Sequence, residues 1–419
     1  MSNNYIEQPL NYWEAKSFMM SVLDEYDNEL FSKIVDRVSA LEGVEITSVR
    51  DLTDEIPGGL ILNYLGEEYE VGYYPSNFSF PEYYARGPMY ITQQELEEYR
   101  NAKSALVVYM NFGKNPKESF KLQLKLMMAM TPDLLAIEDE SAEKILPLKW
   151  VKMVIESETT PSANDLYTIQ AISSENNEIW LHTHGLCRCG ITELEVLQSD
   201  RDNYNAHYNL LSTYASYLLD DVEDKNIYGK GIHLGYLSNN QPIVATCLIW
   251  TNALDIYDDL QLGNIDDRRD GHNSKTSPIF VYQSQQDELN MQVSQVSVYN
   301  GLWEDNPLFF ISTDETKIRT IIAKERFKYV KQLSLNKDND ILVKIALPVD
   351  NGQNYEHIYF RLISFEGEKF RALLLQEPYA DVGIHQGDEG IYGVEDISDW
   401  FVQTPDGSIT PTSAYILEE

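Results

Sequence analysis

The densest collection of reactive side chains in this 419-residue chain is the stretch WLHTHGLCRCG, Trp180 to Gly190, which holds two of seven histidines and two of three cysteines. Successive side chains on a strand point to opposite faces, so His182 and His184 share one side, as a strand-borne pair of metal ligands does. Cys187 and Cys189 could add two thiolates. A metal held there would turn a bound water into a nucleophile, making the protein a metal-dependent hydrolase, with further ligands drawn from His207, His233 or an acidic residue. A different chemistry would use Cys187 itself as the nucleophile, its thiol acidified by Arg188 and the nearby imidazoles.

The spacing argues against both chemistries. Four ligands within eight residues force one loop around most of a tetrahedron, whereas structural zinc takes two well-separated pairs. The His-x-His opening resembles those of amidohydrolases and of polymerase-and-histidinol-phosphatase-type phosphoesterases. Those families imply further histidines and a carboxylate on a repeating barrel, and Cys189 stands near where the second group has an Asp. A strand–loop–strand connection accounts for more residues: EIWLHTH alternates, GLCRCG has a glycine at each end, and ITELEVL alternates again. His182, His184, Cys187 and Cys189 are thus metal candidates of second rank. No catalytic or cofactor-binding residue is assigned, and no cofactor is expected.

The elements around this stretch suggest an α+β, multi-domain protein. SFMMSVLD reads as a strand, DNELFSKIVDRVSALEG as a helix with apolar residues at helical spacing, and VEITSV with GGLILNYLGEEYEVGYY as a strand and a hairpin turning at Gly66. Together they predict a ferredoxin-like unit over 1–90. A Tyr- and Pro-rich connector, YYPSNFSFPEYYARGPMY, follows. It predicts rings buried against the first unit, or else exposed as a partner anchor. A central α+β unit over 91–260 contains a helix begun by Pro116 and two antiparallel strands, LYTIQAIS and NNEIWLHTHGL. The polar run QLGNIDDRRDGHNSKTSP marks a linker over 261–278. The last module, 279–419, combines one helix over about 316–333 with alternating strands such as Ile341, Val343, Ile345 and Leu347, expected to form a small curled antiparallel sheet.

Composition narrows the partners. With 67 acidic and 32 basic residues the net charge is −35, which repels phosphate backbones and anionic membrane surfaces. No nucleic acid and no membrane are therefore expected. No basic-then-apolar leader opens the chain, no apolar run is long enough to span a bilayer, and three cysteines suit a reducing compartment. The expected setting is the cytoplasm. Gly-rich phosphate loops, nucleophile elbows and calcium-loop spacing are all missing.

The C-terminal segment EHIYFRLISFEGEKFRALLLQEPYADVGIHQGDEGIYGVEDISDW resembles the bacterial family called domain of unknown function 2314. The resemblance rests on the Glu356-His357 strand, the Gly hairpin, a strand ending near Pro378, Gly387-Asp388, and the closing Ile397-x-Asp399-Trp400. It covers roughly 312–419. PSANDLYTIQAIS leading into WLHTHGL and ITELEVL is similar to the family called domain of unknown function 4026. These resemblances imply a domain division and a bacterial origin, but no activity. Glu356 and His357, as strand neighbours, face opposite ways, so His357 and Trp400 read as scaffold. The resulting expectation is a non-enzymatic protein of immunity or stress type that works through contact with a basic protein partner. Oligomeric state is not legible.

Overall fold

The computed structural model describes residues 15–25, 29–220, 227–268, 275–303, 307–349 and 354–418. The leader position, residues 1–14, and His272 with the rest of 269–274 lie outside the described residues. Contacts divide the chain into two compact units, Met1–Leu148 with Ala163–Ser312, and Lys149–Ser162 with Thr313–Glu419.

The first unit opens with β1 (Lys16–Leu23), α1 (Glu29–Ser39), β2 (Val44–Arg50), β3 (Gly58–Tyr64), β4 (Glu67–Asn77), α2 (Gln93–Asn101), β5 (Ser104–Asn111), α3 (Pro116–Met130), β6 (Ala136–Asp139) and β7 (Lys144–Pro147). These seven strands form one antiparallel sheet in the order β2-β3-β4-β5-β1-β6-β7. The strand–helix–strand pattern of a ferredoxin-like unit is present, but it closes only with β5, α3 and β6. The expected boundary at residue 90 therefore cuts a continuous sheet. The reason is visible in β5, whose run SALVVYMN pairs from Ser104 to Asn111 with β1 and from Ser104 to Met110 with β4. Asn115 starts α3 by accepting from the Lys117 and Glu118 amides, and Pro116 occupies the first turn, where no N–H is needed. α3 covers one sheet face: Gln123 donates to Val108 O at 3.1 Å and Thr131 to Ser21 Oγ at 2.8 Å.

After α4 (Leu148–Glu156), the first unit continues with β8 (Thr168–Ser173), β9 (Ile179–His184), β10 (Glu193–Ser199), α5 (Tyr204–Asp220), β11 (Ile232–Tyr236), β12 (Pro242–Cys247), α6 (Trp250–Ala253), β13 (Thr276–Tyr282), α7 (Gln285–Leu289), β14 (Ser294–Gln295) and β15 (Leu308–Phe309). The second sheet runs β15-β11-β12-β13-β10-β9-β8, with β14 beside β13. Its β10–β13 pair is parallel. β8 and β9 pair antiparallel from Thr168↔His184 to Ser173↔Ile179, as the alternation predicts. The expected linker is another matter. Thr276–Pro278 begin the fully buried β13, and Arg268 is buried as well. Residues 261–278 are therefore not an exposed connector throughout, because their charged run contains a residue with a buried partner.

The second unit holds α4 from Lys149 on, then α8 (Thr313–Glu325), α9 (Phe327–Leu333) and the strands β16 (Asp340–Val349), β17 (Asn354–Glu366), β18 (Lys369–Leu374), β19 (Glu389–Tyr392), β20 (Ile397–Thr404) and β21 (Gly407–Ile409). Its antiparallel sheet runs β19-β18-β17-β16-β20-β21, with no pairing between β19 and β21 among the described residues. The inward residues Ile341, Val343, Ile345, Leu347, Ile358 and Phe360 are all buried together with Ala323, Phe327 and Val330 of the helices. The single helix expected over 316–333 breaks at Arg326, which is buried and donates to Pro411 O at 2.7 Å. The module begins at Thr313 rather than 279, since β13 to β15 belong to the second sheet.

Candidate functional site

The HTHGLCRCG stretch forms the end of β9, a short helical turn over Cys187–Cys189, and the approach to β10. Both glycines adopt backbone angles that other residues avoid, φ +117° at Gly185 and +76° at Gly190. A Cβ at Gly185 would also come within 2.5 Å of Leu166 O. One carboxylate organises the loop. Glu193 accepts from the amides of Gly185 (2.9 Å), Leu186 (3.2 Å) and Cys187 (2.8 Å) and from the Thr183 hydroxyl (2.7 Å). Such a group satisfies several otherwise buried N–H donors at once.

Arg188, in the middle of the loop, reaches into the other sheet of the unit. Its guanidinium makes a two-pronged pair with Asp139 of β6 at 2.7 and 2.9 Å, both side chains fully buried, and also donates to Leu166 O. The Phe120 ring lies 4.8 Å from it. A planar guanidinium suits this combination of bidentate pairing and ring stacking. A second buried pair joins Glu195 of β10 to Arg268 at 2.8 and 2.9 Å, with Trp180 donating to the same carboxylate at 2.8 Å. Arg268 stacks near Trp180 and Trp250.

His182 packs between Trp180 and His184, with ring centroids 4.3 and 4.9 Å away, and His184 Nδ1 lies 3.5 Å from Glu143. The strand does place both imidazoles on one side. Burial, together with the charge of Glu193, pushes the Cys187 thiol up, and burial raises Cys189 to about 12. Both thiols stay protonated at neutral pH, the opposite of what a nucleophile or thiolate ligand requires. Among the described residues no three His, Cys, Asp or Glu side chains form a group that could hold a metal ion.

The other histidines lie apart from this loop. His207 on α5 is buried, bonds Ser199 Oγ at 2.8 Å, and is held by burial at about 4. His233 bonds Gly235 O at 2.9 Å among Tyr236 and Phe310. In the second unit Glu356 accepts from the amides of Tyr379 and Ala380, at 2.8 and 2.9 Å. Trp400 is buried and donates to Ala323 O at 3.0 Å.

Glu138 was not legible as special in the run AIEDE. Its carboxyl is buried on β6, and desolvation followed by the charges of Glu140 and Asp139 raises it to about 8. Burial, then a hydrogen bond with Tyr83 and the charges of Glu143 and Glu138, pushes the nearby Tyr84 phenol up. Of the Tyr-rich connector, Tyr73, Phe78 and Tyr84 are buried while Tyr83 and Tyr90 stay exposed, so it partly drapes and partly projects.

Residues 17–161 match the N-terminal and residues 169–280 the C-terminal module of a protein of unknown function (DUF4026). Residues 317–411 match an uncharacterized protein conserved in bacteria (DUF2314). No curated protein and no solved structure matches the chain. No helix among the described residues is long and apolar enough to cross a membrane.

Proposed function

For a chain built of the two DUF4026 modules followed by a DUF2314 module, we propose a non-enzymatic binding protein that engages a basic protein partner, in an immunity- or stress-type role in a bacterial cytoplasm. Charge carries this reading. A surplus of 35 acidic residues creates a field that speeds and selects encounter with a cationic partner and repels nucleic acid. Co-purification from the native host at low ionic strength tests it. A basic partner should be retained and then released by salt. Recovery of the protein alone, with a measurable turnover, would overturn the reading.

The competing metal-dependent hydrolase draws on one observation, that His182 and His184 lie side by side on one face of β9. Elemental analysis of protein purified without chelator separates the two. Stoichiometric metal that is lost in His182→Ala would put the hydrolase first.

A further inference from the structure

We propose that the uncovered face of the N-terminal sheet is the docking surface for the basic partner, taking arginine- and lysine-rich segments on a platform of Phe18, Tyr74 and Tyr109. This rests on the reading of the protein as a binder of basic proteins and adds the place and the chemistry.

The two faces of this sheet are unequal. Ser17, Met19 and Ser21 of β1 are fully buried on the side that α3 covers. Lys16, Phe18, Met20 and Val22 point the other way. On that side the connector and α2 cover one end only, where Phe78, Tyr84 and Tyr99 pack on Val22, Ala105 and Ala136. Beyond them the face remains open, and Phe18 is 37% exposed.

The register places Phe18 opposite Tyr109, and Tyr109 opposite Gly72. A Cβ at Gly72 would lie within 2.5 Å of the Tyr109 ring, so glycine there lets the ring lie down across the strand. Tyr109 is 5.6 Å from Phe18 and 6.4 Å from Tyr74, centroid to centroid. These rings already accept a cation: Lys16 Nζ sits 4.6 Å from the Tyr109 centroid and 5.6 Å from that of Phe18. The electron-rich ring faces attract ammonium and guanidinium groups alike.

Carboxylates flank the platform. Glu68 and Glu70 precede Gly72 and Tyr74 at two-residue spacing on β4, and Glu45 continues the row through Asn63. All three glutamates are exposed. On the other flank, Tyr74 is raised by burial and then by the charge of Glu140. Four carboxylates outnumber the two cations of this face among the described residues, Lys16 and Arg50, the latter lying over Gly59 beside Gly72, and this surplus favours a cationic peptide segment. They disfavour phosphate-bearing partners. Arginine fits best, because it can stack on a ring while its fork pairs with a carboxylate.

The test uses the full chain and a fluorescent nona-arginine peptide, with affinity read by anisotropy at low ionic strength. The double variant Phe18→Ala/Tyr109→Ala should weaken binding about fivefold. Glu68→Gln/Glu70→Gln, which leaves the strand and its rings in place, should weaken it about threefold more than the charge-matched control Glu368→Gln/Glu395→Gln in the second unit. Equal affinity across the wild type and all three variants would overturn the surface while leaving the charge-based reading intact. No binding of the peptide to the wild type would overturn that reading itself.

Discussion

The two compact units keep their charges in different places. The first buries Arg188 with Asp139, Arg268 with Glu195 and Lys117 with Asp220, each pair with side chains at most 8% exposed. The second is centred on an apolar cluster from Ile341 to Ala414, and strand ion pairs such as Arg361 with Asp340 stand half in water. Glu315, buried with Arg319 beside it, and Arg326, buried against Pro411 O, are exceptions. Buried pairs are not a strong source of stability, because desolvation offsets most of the attraction, yet breaking one strands a charge. In the first unit the Arg188–Asp139 pair fixes which residues of two sheets meet. In the second, side-chain shape and alternation do that.

Removing one partner should separate the units most sharply. Arg188→Met leaves Asp139 charged and dry and should cost about 3–5 kcal/mol, read as an earlier denaturant transition of the first unit in the full chain. Adding Asp139→Leu should restore much of it. A loss below about 1 kcal/mol in the single variant would erase the contrast, since that is the range of an exposed pair.

The next effect depends on pH. Glu138 keeps its proton in the folded chain up to about 8, whereas an unfolded glutamate releases it near 4.3. The folded state then binds the extra proton between these values. Its stabilisation is full below the unfolded value, declines as pH rises, and is lost once pH passes about 8. Glu138→Gln should flatten that decline, by up to about 5 kcal/mol at pH 9. Thermal melts from pH 5 to 9 check it, and an unchanged slope would show that the carboxyl is solvated.

Smaller changes probe the apolar core of the second unit. Ile345→Val should cost about 1 kcal/mol through a lost methylene between β16 and β17. Smallest of all, Arg361→Ala should cost less than about 0.5 kcal/mol, an effect that salt removes; a larger loss would mean that surface pairing shapes this sheet too. Chemical denaturation of the full chain, following the transition of the second unit, resolves both.

Alternation made the second unit legible: Ile341, Val343, Ile345 and Leu347 announce their strand and their inward face. The β8–β9 pair and the Gly185-to-Gly190 loop were legible for the same local reasons. Long-range polar pairing was not. Arg188 and its partner Asp139 are 49 residues apart, and Arg268 and Glu195 are 73 apart, so each charge read in isolation belongs to a solvated face. That is why the run from Gln261 to Pro278 resembled a linker. The work of Glu193 was equally hidden, because it bonds backbone amides, which have no sequence signature. The platform rings were visible as residues, but their common face emerges only from the register of three strands.

The composition of the second unit from two separated stretches also bears on the order in which the protein is made. Met153, on the helix that begins this unit's first stretch, packs against the core completed by β16 to β21. A ribosome delivers that helix first, then every strand of the second sheet, and only at the end the surface the helix covers. Until then its apolar side has no native cover, a period in which chains of this kind are open to chaperones and to one another. Bringing the distant stretches together also carries a closure entropy that the intervening strands reduce if they fold first. Synthesis thus favours one sequence of events, with the interior stretch assembled early and the termini of the second unit joined last.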